Sequence, residues 1–403
     1  MEKFYYDDAD YDGQLKRTAS AAYSGAADLG ELLVVASSTA AGDADAWYTS
    51  WSAAAQRAEV LAKSAGDHRV SAGGAWLRAS EYWRQAFFYL RGDLDDPRLQ
   101  TGWRRHRDAF RAALPFLPYT TTVATIATAG ATLEGYLLRP GDAATRRPTV
   151  ILPAGYDSTA ESGYSETGWM ALARGMNAFM LAGPGQGGVL YDQRVPMRPD
   201  YEAVLTPAVD WLLAQEGVDP AGLVLIGRSL AGYLAPRGAA HEPRLAALVC
   251  DPGQFEFASR IPKMMPKFLP ASWSEEAWQK IAAADPVADE LAQQLLKIPA
   301  ARQMLDPRMV TMGATGVGDF LRRLATYDLD GHAGLIRCPT LVVDCEGDFA
   351  SQSDVLYAAL ACEKKLLKLS AESGAGGHCG GLGQQVWSDA VFPWIEDTLA
   401  AGR

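Results

Sequence analysis

The chain has 403 residues, 48% of them hydrophobic and including eleven Trp and ten Met, enough for two or three domains around a large core. A formal net charge of -11 excludes a polyanionic partner such as nucleic acid, whose backbone is held by clustered Lys and Arg. The five cysteines (Cys250, Cys338, Cys345, Cys362 and Cys379) form neither a C-x-x-C pair nor a disulfide ladder, the first residues are acidic and aromatic, and no long uncharged apolar run follows. The expectation is a cytoplasmic protein with no membrane segment.

From about Gln14 to Leu114, apolar residues recur at helical spacing, which predicts a helical N-terminal domain over 1–118. Its clearest helix runs from Ser71 to Leu90. Asp95-Asp96-Pro97 then supplies an acidic cap and a proline for a helix from Arg98 to Leu114. The period changes to two at Thr121–Ala127 and Ala131–Leu138, a hairpin around Ala129-Gly130. Beyond it, short apolar runs at 149–153, 177–181, 222–226, 246–250, 340–344 and 365–369 alternate with helical stretches. That alternation means right-handed crossovers and a mostly parallel sheet covered on both faces, the α/β class. Residues 119–254 and 337–403 are the two parts of this core. Between them, 255–336 shows helical pieces broken by prolines and no strand, an insertion placed to cover the strand ends as a lid.

The stretch Val224–Pro236 reads as a buried strand turning sharply into a helix, with Ser229 at the turn. Such an elbow exposes a serine hydroxyl and needs small residues around it; Gly227 fits, while Ala231 stands where G-x-S-x-G has its second glycine and Gly232 follows. A serine nucleophile needs a base and a group to orient that base. His378, in the glycine-rich segment after the last strand, is the histidine that suits the chain order Ser, acid, His, ahead of His68, His106, His241 and His332. For the acid, Asp348 at the loop tip after Pro339–Asp344 leads, with Glu346 in reserve and Asp251 as a further substitute. Backbone N–H groups of Leu230 and Tyr156 are the oxyanion donors, and Gly155 gives that loop room. Asp157 and Ser158 serve to pin the loop. Gly183–Gly188 lacks the spacing of a phosphate loop and reads as a turn at the rim. Gly155, Arg228, Phe255, Phe257 and Trp273 are the candidates for substrate contact.

The segments Ala75-Trp-Leu-Arg-Ala-Ser-Glu-Tyr-Trp-Arg-Gln-Ala, Gly155-Tyr-Asp-Ser-Thr, Gly183-Pro-Gly-Gln-Gly, Gly227-Arg-Ser-Leu and His378-Cys379 resemble those of the α/β-hydrolases typified by 2,6-dihydroxypseudooxynicotine hydrolase and the fungal naphthopyrone chain-shortening hydrolases. The resemblance implies a helical domain helping to cover the site, a homodimer, a Ser229–His378–Asp348 triad, and hydrolysis of a C–C bond beside a ketone, or of an ester, in an aromatic, polyketide-like small molecule. It implies no metal and no organic cofactor. Members of the family carry acidic residues on both sides of the Gly-Pro-Gly turn, where this chain has Ala182 and Gly188. Two rival expectations are non-hydrolytic use of the same site, by acyl transfer or C–C bond formation or rearrangement, and a non-catalytic small-molecule binding protein on the same scaffold.

Overall fold

The computed structural model describes residues 3–260 and 275–402. Five helices come first: α1 (Ala9–Ser20), α2 (Leu29–Ser38), α3 (Ala44–Ser64), α4 (Arg69–Phe87) and α5 (Pro97–Ala113). Asp8, Asp28, Asp43 and Asp96 each accept backbone N–H groups at the start of the helix that follows, which satisfies donors with no partner inside the helix. The α4 helix ends three residues before the expected Leu90 because Phe88–Leu90 tightens into a 3-10 turn. Trp47, Trp51, Trp83 and Trp103 are buried in this helical layer.

Eight strands follow: β1 (Tyr119–Thr128), β2 (Ala131–Pro140), β3 (Arg147–Pro153), β4 (Asn177–Ala182), β5 (Val218–Arg228), β6 (Ala247–Asp251), β7 (Thr340–Cys345) and β8 (Lys364–Leu369). They form one sheet in the order β1-β2-β4-β3-β5-β6-β7-β8, antiparallel at β1–β2–β4 and parallel from β4 to β8. Successive strand side chains face opposite sides. Val150, Leu152, Val224 and Ile226 therefore enter one apolar layer, shared with the N-terminal helices and the last helix, α15 (Gln384–Ala401). Ile151, Leu223 and Leu225 enter the other, with α8 (Glu202–Leu213) and α9 (Ala231–Ala239). Each fully buried Val, Leu or Ile contributes about 1.5–3 kcal/mol relative to its exposed state.

The inserted segment contributes α10 (Glu275–Ala282), α11 (Pro286–Gln293), α12 (Pro299–Met312) and α13 (Val317–Ala325). Among its described residues the β-structure is limited to an isolated bridge between Glu256 and Asp328. Leu305, Phe320, Leu321 and Leu324 bury the apolar faces of α12 and α13 in the second layer. The helices α6 (Trp169–Ala173), α7 (Gly187–Tyr191) and α14 (Ser353–Ala359) complete the crossovers. The loops after β3, β5, β6, β7 and β8 all leave from the carboxyl edge of the parallel strands, where sites in such sheets form. No helix among the described residues is long and apolar enough to cross a membrane.

Candidate active site

Strand β5 ends at Arg228, helix α9 starts at Ala231, and the two-residue link puts Ser229 at φ 58°. A non-glycine residue in this left-handed region stores about 1–3 kcal/mol of strain, which the surrounding packing must hold. The holding bonds are the Ser229 N–H to the Asp251 carbonyl (2.8 Å), the Gly232 N–H to the Ser229 carbonyl (2.8 Å), and the Gln254 amide to that same carbonyl. A Cβ at Gly227 would lie 2.0 Å from the Ala231 carbonyl oxygen, and one at Gly232 would lie 2.0 Å from that of Pro252. The close approach that the motif reserves for its second glycine thus falls on Gly232 in this chain. Ala231 buries its methyl group fully.

His378 reaches both partners. Its Nε2 is 2.8 Å from Ser229 Oγ and its Nδ1 is 2.8 Å from Asp348 Oδ1. The Asp348 carboxylate is fully buried and also accepts the Ala350 N–H (2.8 Å) and the Cys379 N–H (2.9 Å), so it is held before it meets the imidazole. Asp348, His378 and Cys379 present ligand atoms within 4.8 Å of one another. Both His378 nitrogens are already engaged, however, and a proton relay fits them better than an ion. The reserve acid Glu346 accepts the Ala371 N–H (2.7 Å) rather than a bond from the imidazole, and Asp344 on the same segment accepts the Ser351 hydroxyl (2.6 Å).

Asp251 serves Arg228. Its carboxylate, wholly buried, lies 3.1 Å from the Arg228 Nε; burial pushes its pKa up and Arg228 pulls it back. Arg228 also donates to the Glu166 carbonyl (2.9 Å) and the Cys379 carbonyl, and its guanidinium lies 4.2 Å from the centre of the Trp387 ring. Its donors are spent on tying the elbow to the His378 loop rather than on a ligand.

The loop after β3 packs on the elbow: a Cβ at Gly155 would lie 3.4 Å from Ser229 Cβ and 3.5 Å from the Arg228 carbonyl oxygen. This places the Gly155–Tyr156 peptide beside the serine. Among the described residues, neither the Tyr156 N–H nor the Leu230 N–H is used in a hydrogen bond. The turn at Gly183–Gly188 has a role beyond that of a rim: buried Gln186 donates to the Ala154 (2.5 Å) and Gly155 (3.0 Å) carbonyls while accepting the Gly183 N–H (2.8 Å). Arg17 clamps the far side of the loop, on Asp157 (2.6 Å), Ser158 (2.7 Å) and Glu166 (2.6 Å). Burial would raise the Asp157 pKa, but Arg17 overrides it and holds the carboxyl well below the usual range.

Phe257 is buried in an aromatic cluster with Tyr233 (6.0 Å between ring centroids) and Tyr327 (5.9 Å), a core position. Phe255 is half-buried, its backbone bonded to Gln352 and Leu329. Trp273, like Pro262, Pro266 and Pro270, lies outside the described residues. His106 is buried between Ser80 and Thr159, and burial lowers its pKa against the opposing pull of Glu161; His241 meets His332 (3.1 Å) away from Ser229. Beside Gly188, where the family resemblance expects an acidic side chain, the space holds the carboxylates of Glu134 and Asp192, 3.1 and 3.2 Å from where a Cβ would lie.

No protein-family model matches the chain. It is 30% identical to 20-hydroxy-prefusarin hydrolase FUS2 of Gibberella moniliformis over 94% of this chain and 93% of the relative. It is also 30% identical to alpha/beta hydrolase psoB of Aspergillus fumigatus, over 96% and 93%. The solved structure of 2,6-dihydroxy-pseudo-oxynicotine hydrolase superposes with a TM-score of 0.73 at 22% identity, covering 95% of this chain and 96% of that one, and so shares the fold. A serine elbow on a mostly parallel sheet, together with full-length relatives of this kind, means that the chain belongs to the α/β-hydrolase family of enzymes.

Proposed function

We propose that the protein is a serine hydrolase that cleaves a C–C bond next to a ketone, or an ester, in an aromatic, polyketide-like small molecule. The observation that carries this reading is the hydrogen-bonded run Ser229 Oγ, His378 Nε2, His378 Nδ1, Asp348 Oδ1, with 2.8 Å at each contact. Ser229 Oγ adds to the carbonyl carbon as His378 Nε2 takes its proton, and the developing oxyanion takes the N–H groups of Tyr156 and Leu230. Collapse breaks the bond to the leaving carbon or oxygen, which receives the proton from the imidazolium. A water molecule deprotonated by His378 then releases the acyl group as a carboxylate. Asp348, buried and held by two backbone N–H groups, keeps Nδ1 protonated throughout. The name of a relative, 20-hydroxy-prefusarin hydrolase, supports a small-molecule substrate.

The test pairs fluorophosphonate labelling of Ser229 with turnover in heavy-oxygen water. Labelling at Ser229, loss of both signals in Ser229→Ala, and heavy oxygen in the carboxylate are expected. Labelling without heavy oxygen in the product points to acyl transfer or C–C bond formation, and no labelling points to a binding protein. Five free thiols support a reducing, cytoplasmic setting, and the exposed apolar residues Leu29, Leu33 and Val34 on α2, with Val60 and Leu61 on α3, support a homodimer. A monomeric mass by light scattering would overturn the latter.

A further inference from the structure

The Tyr156 side chain leaves the elbow and runs toward α12. Two guanidinium groups lie against its ring, Arg91 with its carbon 5.7 Å from the ring centre and Arg308 with its carbon at 5.4 Å. Arg91 follows the 3-10 turn after α4 and is 6% exposed; Arg308 sits on α12 and is half-buried. Each spends one described hydrogen bond on its own backbone, Arg91 on the Phe88 carbonyl (2.8 Å) and Arg308 on the Met304 carbonyl (2.6 Å). Among the described residues neither forms an ion pair.

A buried guanidinium without a carboxylate is costly, because its charge leaves water and its remaining N–H groups lose their partners. Arg17 shows the usual arrangement in the same neighbourhood, where one arginine meets both Asp157 and Glu166. Both arginines act on Asp10 at the start of α1, and Arg91 also acts on Asp157. Asp10 is exposed on its helix; partial loss of water contact pushes its carboxyl up, and Arg308 and Arg91 pull it back. Beside them are two buried hydroxyls that make no hydrogen bond of standard geometry, Tyr156 next to Thr311 and Tyr89 next to Asp10. Three segments of the chain bring donors here: Tyr89 with Arg91, Tyr156, and Arg308 on α12.

We propose that Arg91 and Arg308 form a subsite for an ionised oxygen group of the substrate, a carboxylate or an ionised enol or phenol, with the Tyr89 and Tyr156 hydroxyls as further donors. Fixed N–H forks suit such a group, and the low-dielectric setting strengthens each charged hydrogen bond. The subsite starts one tyrosine side chain from the peptide assigned to the oxyanion, so the anionic group and the cleaved carbonyl belong to neighbouring parts of one molecule. The inference rests on the serine-hydrolase reading only for where the reacting carbon lies. It names the substrate class as an acidic acyl compound.

Equilibrium binding of three probes to the full chain tests it without turnover: benzoate for a carboxylate, 4-nitrophenolate for an ionised phenol, and benzamide as the neutral control, each measured by calorimetry on the wild type, Ser229→Ala and Arg308→Gln. At least one anion should bind about tenfold or more tighter than benzamide to the first two proteins, and Arg308→Gln should lose about tenfold or more of that preference. Whichever anion shows the preference identifies the group. Arg308→Lys, which keeps the charge but not the fork, should recover part of it. Equal binding of benzamide and both anions overturns the subsite, as does an anion preference that Arg308→Gln leaves intact. Arg308-dependent anion binding with no fluorophosphonate labelling of Ser229 sinks the serine reading and leaves the subsite standing.

Discussion

Replacing Arg228 by Met isolates the bond between the elbow and the base-bearing loop. Methionine keeps much of the volume and an apolar contact with Trp387, but it removes the donors to Asp251, to the Glu166 carbonyl and to the Cys379 carbonyl. Asp251 is fully buried, so breaking this pair should cost about 3–5 kcal/mol at neutral pH. Part of the cost is relieved by protonation, because burial already raises the Asp251 pKa and the variant lacks the cation that opposes it. The sign of the pH dependence follows. Folded Asp251 in the variant binds a proton over a range where the unfolded carboxyl, near about 3.9, does not, so stability is greatest near or below that value and falls as pH rises toward the folded pKa. Urea unfolding followed by tryptophan fluorescence, at mildly acidic and at neutral pH, measures both effects. The double variant Arg228→Met, Asp251→Asn should recover most of the lost stability. A single-variant loss below about 1 kcal/mol, or a double variant no more stable than the single, would refute the argument.

Gly232→Ala forces a methyl group to 2.0 Å from the Pro252 carbonyl and should reduce kcat by about a hundredfold or more, whereas Ala231→Gly should keep activity within about twofold and lose at most about 1 kcal/mol in urea unfolding. Gln186→Ala frees the carbonyls of Ala154 and Gly155; steady-state kinetics should show kcat down by about tenfold or more with KM little changed, the mark of a group that positions the loop proposed to hold the oxyanion. Asp157 has a folded pKa held below its unfolded one, so its contribution is present above about pH 3.9 and lost as pH falls through the folded value. Asp157→Asn should remove that part of the acid sensitivity of the melting temperature and cost about 1–2 kcal/mol at neutral pH.

The strands and the juxtaposition of Ser229, His378 and Asp348 were legible in the sequence because both rest on local patterns read in chain order. Apolar runs marked the strands to within a few residues, and the loops that follow them in a parallel sheet are obliged to meet at one edge. The structural ties of Arg228 are invisible in the sequence because its partners lie 23, 62 and 151 residues away, beyond any spacing rule. The same holds for Gln186, whose acceptors are 31 and 32 residues upstream. Ala231 seemed a departure because a motif counts positions, while the crowding comes from Pro252, a residue on another loop. Phe257 looked like a pocket residue for want of any pattern separating an aromatic that lines a cavity from one that fills a core. At Gly188 the expected carboxylate arrives from β2 instead, as Glu134.

The carbonyl of Asp251 has a consequence for how the enzyme comes into being. It accepts the Ser229 N–H at 2.8 Å and the Cys379 thiol at 3.4 Å, joining two segments that are synthesised far apart in time. A growing chain that has just completed β6 can form the elbow, yet its Ser229 lacks the imidazole contact, since His378 follows 149 residues later. On the proposed serine mechanism the nascent protein would therefore lack an activated serine until the late loop reaches the carbonyl that holds Ser229 in place.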